Sequence, residues 1–474
     1  MPDNLPLTIR DAAAELRAGT VTAVALTTAV LDTITAQDPA LGAYVTVTAE
    51  GALAAAAAAD RDFAAGIDKH PLQGIPLAVK DIIATKDAPT TANSRVLDPQ
   101  WGAGTDAPVV ARLREAGGVV VGKTTTSEFA CGLPDPTKGF PIPRNPWNLE
   151  HTASGSSAGT GIAVAAGLAL GGLGTDTGGS VRAPASVSGI TGLKVTFGRV
   201  PKNGVVPLGY SLDSVGPMAR SAYDCALLLE VIAGYDAGDP TAADVPVPQY
   251  TSLLDGDVTG LRIGVPREYF LDNPLLADEV RDGVLDGIAA LQAMGAEVVD
   301  VTIPYAGPAN DANNLTFLAE GYAYHRADLI SRWTDYGKST RDVLGRGALY
   351  TGADYVQAQR VRSVFRAEVA KVMDQVDVLI TPLSLGPVPR ADEMDMGLLF
   401  TGASFTGQWN LTGMPAVSVP CGMSANGLPL AFQVVGKPFA ETTVLKVADA
   451  YQRGTDWHLR VPTFAAPAEA VLSA

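Results

Sequence analysis

The segment from Gly174 to Ser186 reads GTDTGGSVRAPAS, a glycine-rich turn with Ser180 at its centre. A second glycine- and serine-rich turn lies upstream in the run HTASGSSAGTGIAVAAG, residues 151–167, and its Ser156 precedes Ser180 by 24 residues. The apolar residues between the turns predict a helix, and a dozen helical residues span only about 18 Å at 1.5 Å each. The two turns can therefore fold back on each other and bring their serines together.

A lysine lies further upstream in an apolar, strand-like run, GIPLAVKDII, residues 74–83. Lysine is rarely buried without a reason, and burial lowers the pKa of its amine because the charged form loses its hydration. Lys80 is therefore a candidate base. The run by itself also fits a Lys80 that emerges at the end of a strand and pairs with Asp81 or another carboxylate.

Residues 155–159 spell G-x-S-x-G, a pattern typical of a serine nucleophile on a strand-to-helix turn. The pattern would make Ser157 the nucleophile, but the preceding residues, NPWNLEHTA, do not predict a strand. The two histidines that follow, His325 and His458, are each better explained as structural or surface residues. The same glycines lack the spacing of a phosphate-binding loop, so neither pattern is favoured.

The chain has 474 residues, a formal net charge of −16 and no cluster of Lys and Arg that would bind a phosphate backbone. Its cysteines, Cys131, Cys225 and Cys421, are an odd number at wide spacing, which fits neither a disulfide framework nor a zinc site. The N-terminus does not read as a signal peptide, and the longest apolar stretch, residues 161–174, is shorter than the about 20 residues that span a bilayer. We therefore expect a cytoplasmic protein with a small-molecule substrate, no metal, no cofactor, no nucleic-acid partner and no membrane partner.

Short β-branched runs bounded by glycine or proline alternate with helical patterns along the chain. This alternation predicts an α/β fold of layers around one mostly buried sheet. The predicted strands are 119–121, 261–265, 298–301, 376–381, 416–419 and 430–435, and the predicted helices include 107–116, 222–233 and 278–294.

Helices also open the chain. A capping-box spacing at Thr8 predicts the start of the first, Pro39 is expected to end the next, and an alanine-rich helix follows at 51–65. No linker rich in Ser, Gly or Pro divides the chain. We therefore expect a single domain over residues 1–474, with an N-terminal helical segment at 1–66.

The lysine run and the two serine-containing turns closely resemble the amidase signature family of serine hydrolases, as do runs such as GLKVTFGRVP, SLDSVGPMARSAYD and WNLTGMPAVSVPCG. The likeness extends from Leu7 to about Gln452. It implies one large layered α/β domain whose mixed sheet is covered by helices on both faces. It also implies an enzyme that cleaves the C–N bond of carboxylic amides through a serine acyl-enzyme, in a family that often forms homodimers.

The resemblance assigns roles to individual residues. Lys80 matches the general base, Ser156 the bridging serine in a cis peptide linkage, and Ser180 the nucleophile. The backbone amides that match the oxyanion hole are those of Thr177, Gly178, Gly179 and Ser180. The supporting residues are Ser157, Asp176 and Arg182, and the edge of the acyl-binding pocket matches the carbonyl of Ala130 with Cys131 beside it.

These residue types suit the chemistry. A serine hydroxyl is a poor nucleophile until a base takes its proton, and a neutral lysine can serve where no histidine is suitably placed. Lowering a lysine pKa from about 10.4 to between 7 and 8 costs about 4 kcal/mol, which burial can supply. The chain departs from the family's Pro-Gly-Gly-Ser-Ser-Gly-Gly run at Ala153, Ser154 and Ala158. Because these residues are small, we expect the chemistry to survive.

Two functions stay open at this point. One is a stand-alone hydrolase of amides that extends to anilides, esters or carbamates. The other is the glutaminase subunit of a tRNA-dependent amidotransferase complex, in which an Asp seven residues before the Asn of the Asn-Leu-x-Gly-x-Pro run helps to hold the amide. Counting back from Asn410 gives Ala403, which argues against glutamine. A catalytically dead binding protein is disfavoured because all three reactive residues are present. We expect the segment 303–396, least like the family core, to select the substrate.

Overall fold

Eleven β-strands form one mixed sheet in the computed structural model, which describes residues 6–394 and 404–463. In chain order they are β1 (Tyr44–Val47), β2 (Pro76–Lys80), β3 (Val119–Thr124), β4 (Gly171–Asp176), β5 (Thr191–Lys194), β6 (Ser214–Ala219), β7 (Arg262–Pro266), β8 (Glu297–Val301), β9 (Val378–Pro382), β10 (Ala416–Met423) and β11 (Pro429–Gly436). Their order across the sheet is β1-β3-β2-β4-β6-β5-β10-β11-β9-β7-β8. Strand β2 is parallel to β3 and β4, β7 is parallel to β8 and β9, and the other pairs are antiparallel. The predicted α/β fold with a mixed sheet is confirmed.

Helices connect these strands and pack against the sheet. The α-helices of the described residues are α1 (Ile9–Ala18), α2 (Ala23–Leu41), α3 (Ala49–Ala64), α4 (Pro108–Glu115), α5 (Ala158–Ala165), α6 (Arg182–Ser188), α7 (Ala222–Ile232), α8 (Asp278–Ala293), α9 (Ala306–Ser331), α10 (Lys338–Arg346), α11 (Gly352–Met373), α12 (Gly407–Thr412) and α13 (Glu441–Arg453). Helix α6 packs against β5, β10 and β11, and α13 packs against β10 and β11. Each strand and helix predicted above by its residue range has a counterpart whose ends differ by a few residues.

Strand β2 lies between β3 and β4, and all five of its residues are buried. A strand that is buried on both faces carries a continuous apolar run, which explains the residues before Lys80. Lys80 is the last residue of the strand and has no exposed surface. The neighbouring Asp81 pairs with Lys123 at 3.0 Å. Lys80 therefore does not emerge at the surface to pair with Asp81.

The helix predicted between the two turns is shorter than the apolar run 161–174 indicates. Helix α5 ends at Ala165, and the glycine-rich residues at the end of the run form β4 between β2 and β6. A Cβ on Gly172 would lie 2.6 Å from the carbonyl oxygen of Ala78, and a Cβ on Gly174 would lie 2.7 Å from Ser157 Oγ. The strand is glycine-rich because its neighbours leave no room for side chains, so β-propensity does not reveal it.

The N-terminal segment contains a strand as well as helices. The Thr8 side chain accepts a hydrogen bond from the backbone N–H of Asp11 at 3.0 Å, as the capping-box spacing predicts. Helix α2 continues past Pro39 to Leu41, contrary to expectation. Pro39 has no N–H to donate to the preceding turn, but the helix continues for two more residues and ends where the N–H of Gly42 donates to the carbonyl of Asp38. Strand β1 was not expected and pairs with β3.

Across the two described ranges, 6–394 and 404–463, no helix has the length and apolar character needed to cross a membrane. The same residues contain no group of three or more His, Cys, Asp or Glu that could hold a metal ion. Cys131, Cys225 and Cys421 are buried and free.

Candidate active site

Lys80 is surrounded by three hydroxyl groups at the end of β2. Its Nζ donates hydrogen bonds to Ser156 Oγ at 2.7 Å, Thr175 Oγ1 at 2.8 Å and Ser157 Oγ at 3.0 Å. The lysine comes from β2, Thr175 from β4, and the two serines from the turn before α5. The structure thus joins the lysine run to the first serine-rich turn.

Burial lowers the pKa of Lys80 to about 7, although the charges of Asp176 and Asp213 act in the opposite direction. The hydroxyl groups around Nζ do not replace the hydration of an ammonium ion, so the neutral amine is favoured. Near pH 7 a large fraction of Lys80 is therefore neutral and able to accept a proton. This pKa lies close to the range that a lysine base needs to act at neutral pH.

Ser157 is fully buried and links the two turns. Its Oγ accepts a hydrogen bond from the backbone N–H of Thr175 at 3.2 Å, and its own N–H donates to the carbonyl of Ser180 at 3.2 Å. His325 instead contacts the hydroxyl of Tyr336 at 3.0 Å. A buried serine without a histidine partner is no exposed nucleophile, so the G-x-S-x-G interpretation has no support in the geometry. The peptide bond between Gly155 and Ser156 is cis, as the family resemblance implies for the bridging serine.

Ser180 is half-buried, two residues before the start of α6. The backbone N–H groups of Thr177, Gly178 and Ser180 have no hydrogen-bond partner among the described residues. The N–H of Gly179 donates to Asp176 Oδ1 at 2.7 Å. Three of the four amides assigned to the oxyanion hole are therefore available to a ligand, and the fourth braces the loop.

Asp176 and Arg182 form a fully buried ion pair behind this loop. The Arg182 Nε donates to Asp176 Oδ2 and its Nη2 to Oδ1, each at 3.0 Å. Burial raises the pKa of Asp176, but the charge and hydrogen bonds of Arg182 outweigh it and hold the pKa well below its usual range. The carboxylate also accepts the backbone N–H of Gly179 and Val181, so it fixes the conformation around Ser180.

Arg182 also contacts residues from the C-terminal part of the chain. Its guanidinium donates to Asn410 Oδ1 at 2.7 Å and to Gln433 Oε1 at 2.9 Å. Asn410 in turn donates to Asp176 Oδ1 at 2.8 Å. Asn410 belongs to the WNLTGMP run that carries part of the family resemblance. Its place near the active site could therefore have been predicted from the sequence.

Two further residues hold the loop 177–180, which the resemblance assigns to the oxyanion hole and which is called the oxyanion loop below, and both were missed from the sequence. The Thr177 hydroxyl donates to Asp213 Oδ1 at 2.6 Å, and the Thr406 hydroxyl donates to the carbonyl of Gly178 at 2.5 Å. Gly179 has φ of +131°, and a Cβ there would lie 2.6 Å from Thr406 Oγ1, so only glycine fits. Asp213 lies in the SLDSVGPMARSAYD run, whereas nothing local marks Thr406.

A cavity of about 190 Å³ has Ala130, Thr175, Thr177 and Asp213 in its lining. This location is consistent with the expected place of Ala130 at the edge of a pocket. Cys131 does not line the cavity. Burial, together with the charge of Glu128, raises the pKa of its thiol to about 12, so Cys131 carries no thiolate at neutral pH.

A family model described as Amidase matches residues 25–445. The chain belongs to the Amidase family. The family resemblance and the predicted enzyme class, an amidase acting on amide C–N bonds, are confirmed. Among curated proteins, a glutamyl-tRNA(Gln) amidotransferase subunit of Roseiflexus sp. (strain RS-1) is 43% identical to this amidase over 485 residues, covering 96% of this chain and 98% of the relative.

Solved structures of two kinds of protein resemble the amidase equally well. Native peptide amidase from Stenotrophomonas maltophilia matches with a TM-score of 0.85 and 30% identity, over 97% of this chain and 100% of its own. The corresponding glutamyl-tRNA(Gln) amidotransferase subunit from Thermotoga maritima matches with a TM-score of 0.82 and 31% identity, over 98% of this chain and 99% of its own. The fold therefore does not separate the two.

The expectation of no nucleic-acid partner is contradicted by these relatives. Their name refers to a glutamyl-tRNA and to one subunit, which implies a larger assembly for those proteins. The expectation rested on the net charge of −16 and on the absence of a cluster of Lys and Arg. Net charge indicates whether a protein itself binds a phosphate backbone. It does not indicate whether the protein belongs to a complex in which another subunit binds the nucleic acid.

The departures of this amidase from its family's first turn differ in their surroundings. Ser154 has φ of +59°, in the left-handed region where glycine is favoured. Ala153 and Ala158 are fully buried, and Ala158 begins α5. Ser154 is therefore the replacement that adds a side chain to a conformation that side chains disfavour.

Proposed function

We propose that the chain hydrolyses the C–N bond of carboxylic amides through an acyl-enzyme on Ser180. The observation that carries the proposal is the hydrogen bond of 2.7 Å from the buried Lys80 to Ser156 Oγ, together with a Lys80 pKa of about 7. A base with a pKa close to the working pH is the most effective, since it is both neutral enough to accept a proton and basic enough to hold it.

In this mechanism Ser156 transfers a proton between the base and the nucleophile. Neutral Lys80 takes the proton of Ser156 while Ser156 takes that of Ser180, whose Oγ bonds to the carbonyl carbon of the substrate. When the C–N bond breaks, the leaving amine takes the proton of Ser156, which regains one from Lys80. Water then attacks the acyl ester by the same route and restores Ser180.

The negative charge that develops on the carbonyl oxygen requires donors that are already in place. The free N–H groups of Thr177, Gly178 and Ser180 support this role, because their loop is held by Asp176, Asp213 and Thr406. Losing one donor of this kind usually costs about 100-fold or more in rate.

A second candidate is the glutaminase subunit of a tRNA-dependent amidotransferase, which shares this chemistry and works with partner subunits. The names of the relatives support it better than they support a stand-alone hydrolase. Ala403, where that subunit type has an Asp, argues for the stand-alone hydrolase, but it lies outside the described residues. Anilides, esters and carbamates are proposed further substrates of the stand-alone enzyme, with selection by the segment 303–396. A cytoplasmic location stays a prediction from the cysteines.

The test is a panel of aliphatic amides, anilides, carbamates, esters and glutamine, read by product release, with Ser180→Ala as the control. We expect the purified protein to cleave at least one amide class and a fluorophosphonate probe to label Ser180, and both signals to disappear in the variant. Turnover restricted to glutamine supports the second candidate. A Ser180→Ala protein that still forms an acyl-enzyme would overturn the proposed mechanism.

A further inference from the structure

Residues 127–131, called the pocket-edge segment below, contain two successive residues in the left-handed backbone conformation. Phe129 has φ of +51° and Ala130 has φ of +59°. Neither is glycine, and a side chain disfavours this conformation. Residues in such a conformation persist where the surrounding contacts hold them, and they occur often at functional sites. We therefore looked for the contacts that hold the segment.

The pocket-edge segment touches the active site at two points. The backbone N–H of Ser127 donates to the carbonyl of Ser156 at 3.2 Å. Ala130 lines the cavity of about 190 Å³, and Thr177 of the oxyanion loop lines the same cavity. A movement of the segment would therefore change the wall of this cavity.

The buried carboxylate of Glu128 connects the pocket-edge segment to two other parts of the chain. Ser94 Oγ donates to Glu128 Oε1 at 2.6 Å, and the backbone N–H of Gly337 donates to Glu128 Oε2 at 2.7 Å. Gly337 immediately precedes α10, so the carboxylate also lies at the N-terminus of that helix. A carboxylate is favoured at this end of a helix, where N–H groups lack partners within the helix.

Two backbone contacts complete the support of the segment. The N–H of Phe129 donates to the carbonyl of Ala92 at 3.0 Å, and the Thr340 hydroxyl of α10 donates to the carbonyl of Cys131 at 3.2 Å. Each of these contacts joins the segment to one neighbour. Glu128 joins it to two neighbours through a single side chain, so its loss would remove the most support.

We propose that Glu128 is a positioning residue that holds Ala130 at the edge of the substrate pocket. This inference rests on the proposed function, and it adds a route by which α10 acts on substrate binding. Helix α10 lies within the segment 303–396 that is proposed to select the substrate. A wall that contacts the substrate equally in the bound state and in the transition state affects KM and leaves kcat unchanged.

The hydrogen bonds of Glu128, rather than its charge, carry this role. Burial raises the pKa of Glu128, although the hydrogen bonds from Ser94 and Gly337 lower it. A neutral carboxamide can make both contacts, because its oxygen accepts from the Gly337 N–H and its N–H donates to the Ser94 hydroxyl, which also accepts. Glu128→Gln should therefore preserve the position of the segment, whereas Glu128→Met removes both contacts at a similar side-chain length.

The experiment measures kcat and KM of both variants on the best amide of the panel, per site labelled by the fluorophosphonate probe. We expect KM of Glu128→Met to rise about tenfold or more while kcat stays within about threefold of the wild-type value. Glu128→Gln should keep KM within about threefold of the wild-type value, because both hydrogen bonds are retained.

Glu230→Met is the matched control. Glu230 Oε1 accepts the backbone N–H of Thr251 at 2.7 Å and the Thr251 hydroxyl at 2.9 Å, so this variant also loses bonds from one N–H and one hydroxyl. Glu230 lies on α7, outside the pocket-edge segment. We expect Glu230→Met to lower the denaturation midpoint in urea and to leave KM unchanged.

A second variant applies if Glu128→Met is too unstable to purify. Ser94→Ala removes one of the two donors and leaves Glu128 bonded to Gly337. We expect KM of Ser94→Ala to rise about threefold or more, as the loss of one hydrogen bond predicts, with kcat retained.

The outcomes separate this inference from the proposed function. An unchanged KM in Glu128→Met, or in Ser94→Ala where that variant replaces it, overturns the role of Glu128 while labelling of Ser180 persists. An equal rise of KM in Glu128→Gln and Glu128→Met, or a rise in Glu230→Met, overturns it as well. Failure of the wild type to label at Ser180 or to cleave an amide overturns the proposed function, and this inference with it.

Discussion

At the scale of the residue, two fully buried lysines share a lowered pKa but not their partners. Burial lowers the pKa of both Lys80 and Lys194 to about 7, and for Lys194 the charge of Arg182 lowers it further. Lys194 Nζ donates to the carbonyl of Val195 at 2.8 Å, whereas Lys80 donates to Ser156 and two other hydroxyls. Only the contact with a serine hydroxyl allows a proton to move toward a nucleophile, so geometry rather than pKa separates the two lysines.

The pH dependence of the rate tests which lysine is the base. Lys80 must be neutral to accept a proton, so kcat/KM should fall about tenfold per pH unit below about pH 7 and level off above about pH 8. The measurement is kcat/KM against pH from about 5 to 9 on the best substrate of the panel. Lys194→Met is the matched control and should retain the same inflection. A flat profile in the wild type, or loss of the inflection in Lys194→Met, would contradict the role of Lys80.

At the scale of the element, the turn that leads into α5 determines where Ser156 and Ser157 lie. Two positions where the family has glycine differ here in backbone conformation, since Ser154 has φ of +59° and Ala158 is the first residue of the helix. A side chain costs free energy in the left-handed region, whereas alanine is favourable in a helix. Replacement of the two glycines therefore affects the turn in opposite directions.

Restoring the two glycines one at a time should change stability with opposite signs. We expect Ser154→Gly to raise the free energy of unfolding by about 0.5 to 1 kcal/mol, because the left-handed conformation no longer carries a side chain. Ala158→Gly should lower it by about 0.5 kcal/mol, because glycine loses more chain entropy in a helix. Urea titration followed by circular dichroism measures both values. Shifts of the same sign would show that the conformation of the turn is not what separates the two positions.

At the scale of the whole molecule, Arg182 connects segments that are far apart in the chain. It pairs with Asp176 at the end of β4 and donates to Asn410 of α12 and to Gln433 of β11, which is 251 residues away. A fully buried charge with all its partners in place is tolerated, but removing one member leaves the other charge unpaired. The conformation of the oxyanion loop therefore depends on how α12 and β11 pack against the end of β4.

Arg182→Met should lower the free energy of unfolding by about 3 to 5 kcal/mol, because Asp176 is left buried without its counter-charge. The matched control is Arg262→Met. Arg262 pairs with Asp377 at 2.9 Å, with side chains 40% and 33% exposed, so its loss should lower the free energy of unfolding far less than the loss of Arg182 does. Denaturation midpoints in urea give both values. A similar small cost for the two variants would mean that the buried pair does not hold the loop.

The sequence by itself determined the family and the α/β class and predicted the three reactive residues, because long runs such as IPLAVKD and GTDTGGSVRAPAS are specific enough to be recognised without a structure. It also located most strands and helices, since their apolar patterns are local. Only the tertiary structure decided that the side chain of Lys80 is fully buried, that Gly171–Asp176 is a strand, and that Gly179 donates its N–H to Asp176. It also brought Thr406 to the oxyanion loop. Burial, pKa and the direction of a backbone N–H depend on which distant segments pack together, and no local pattern of residues contains that information.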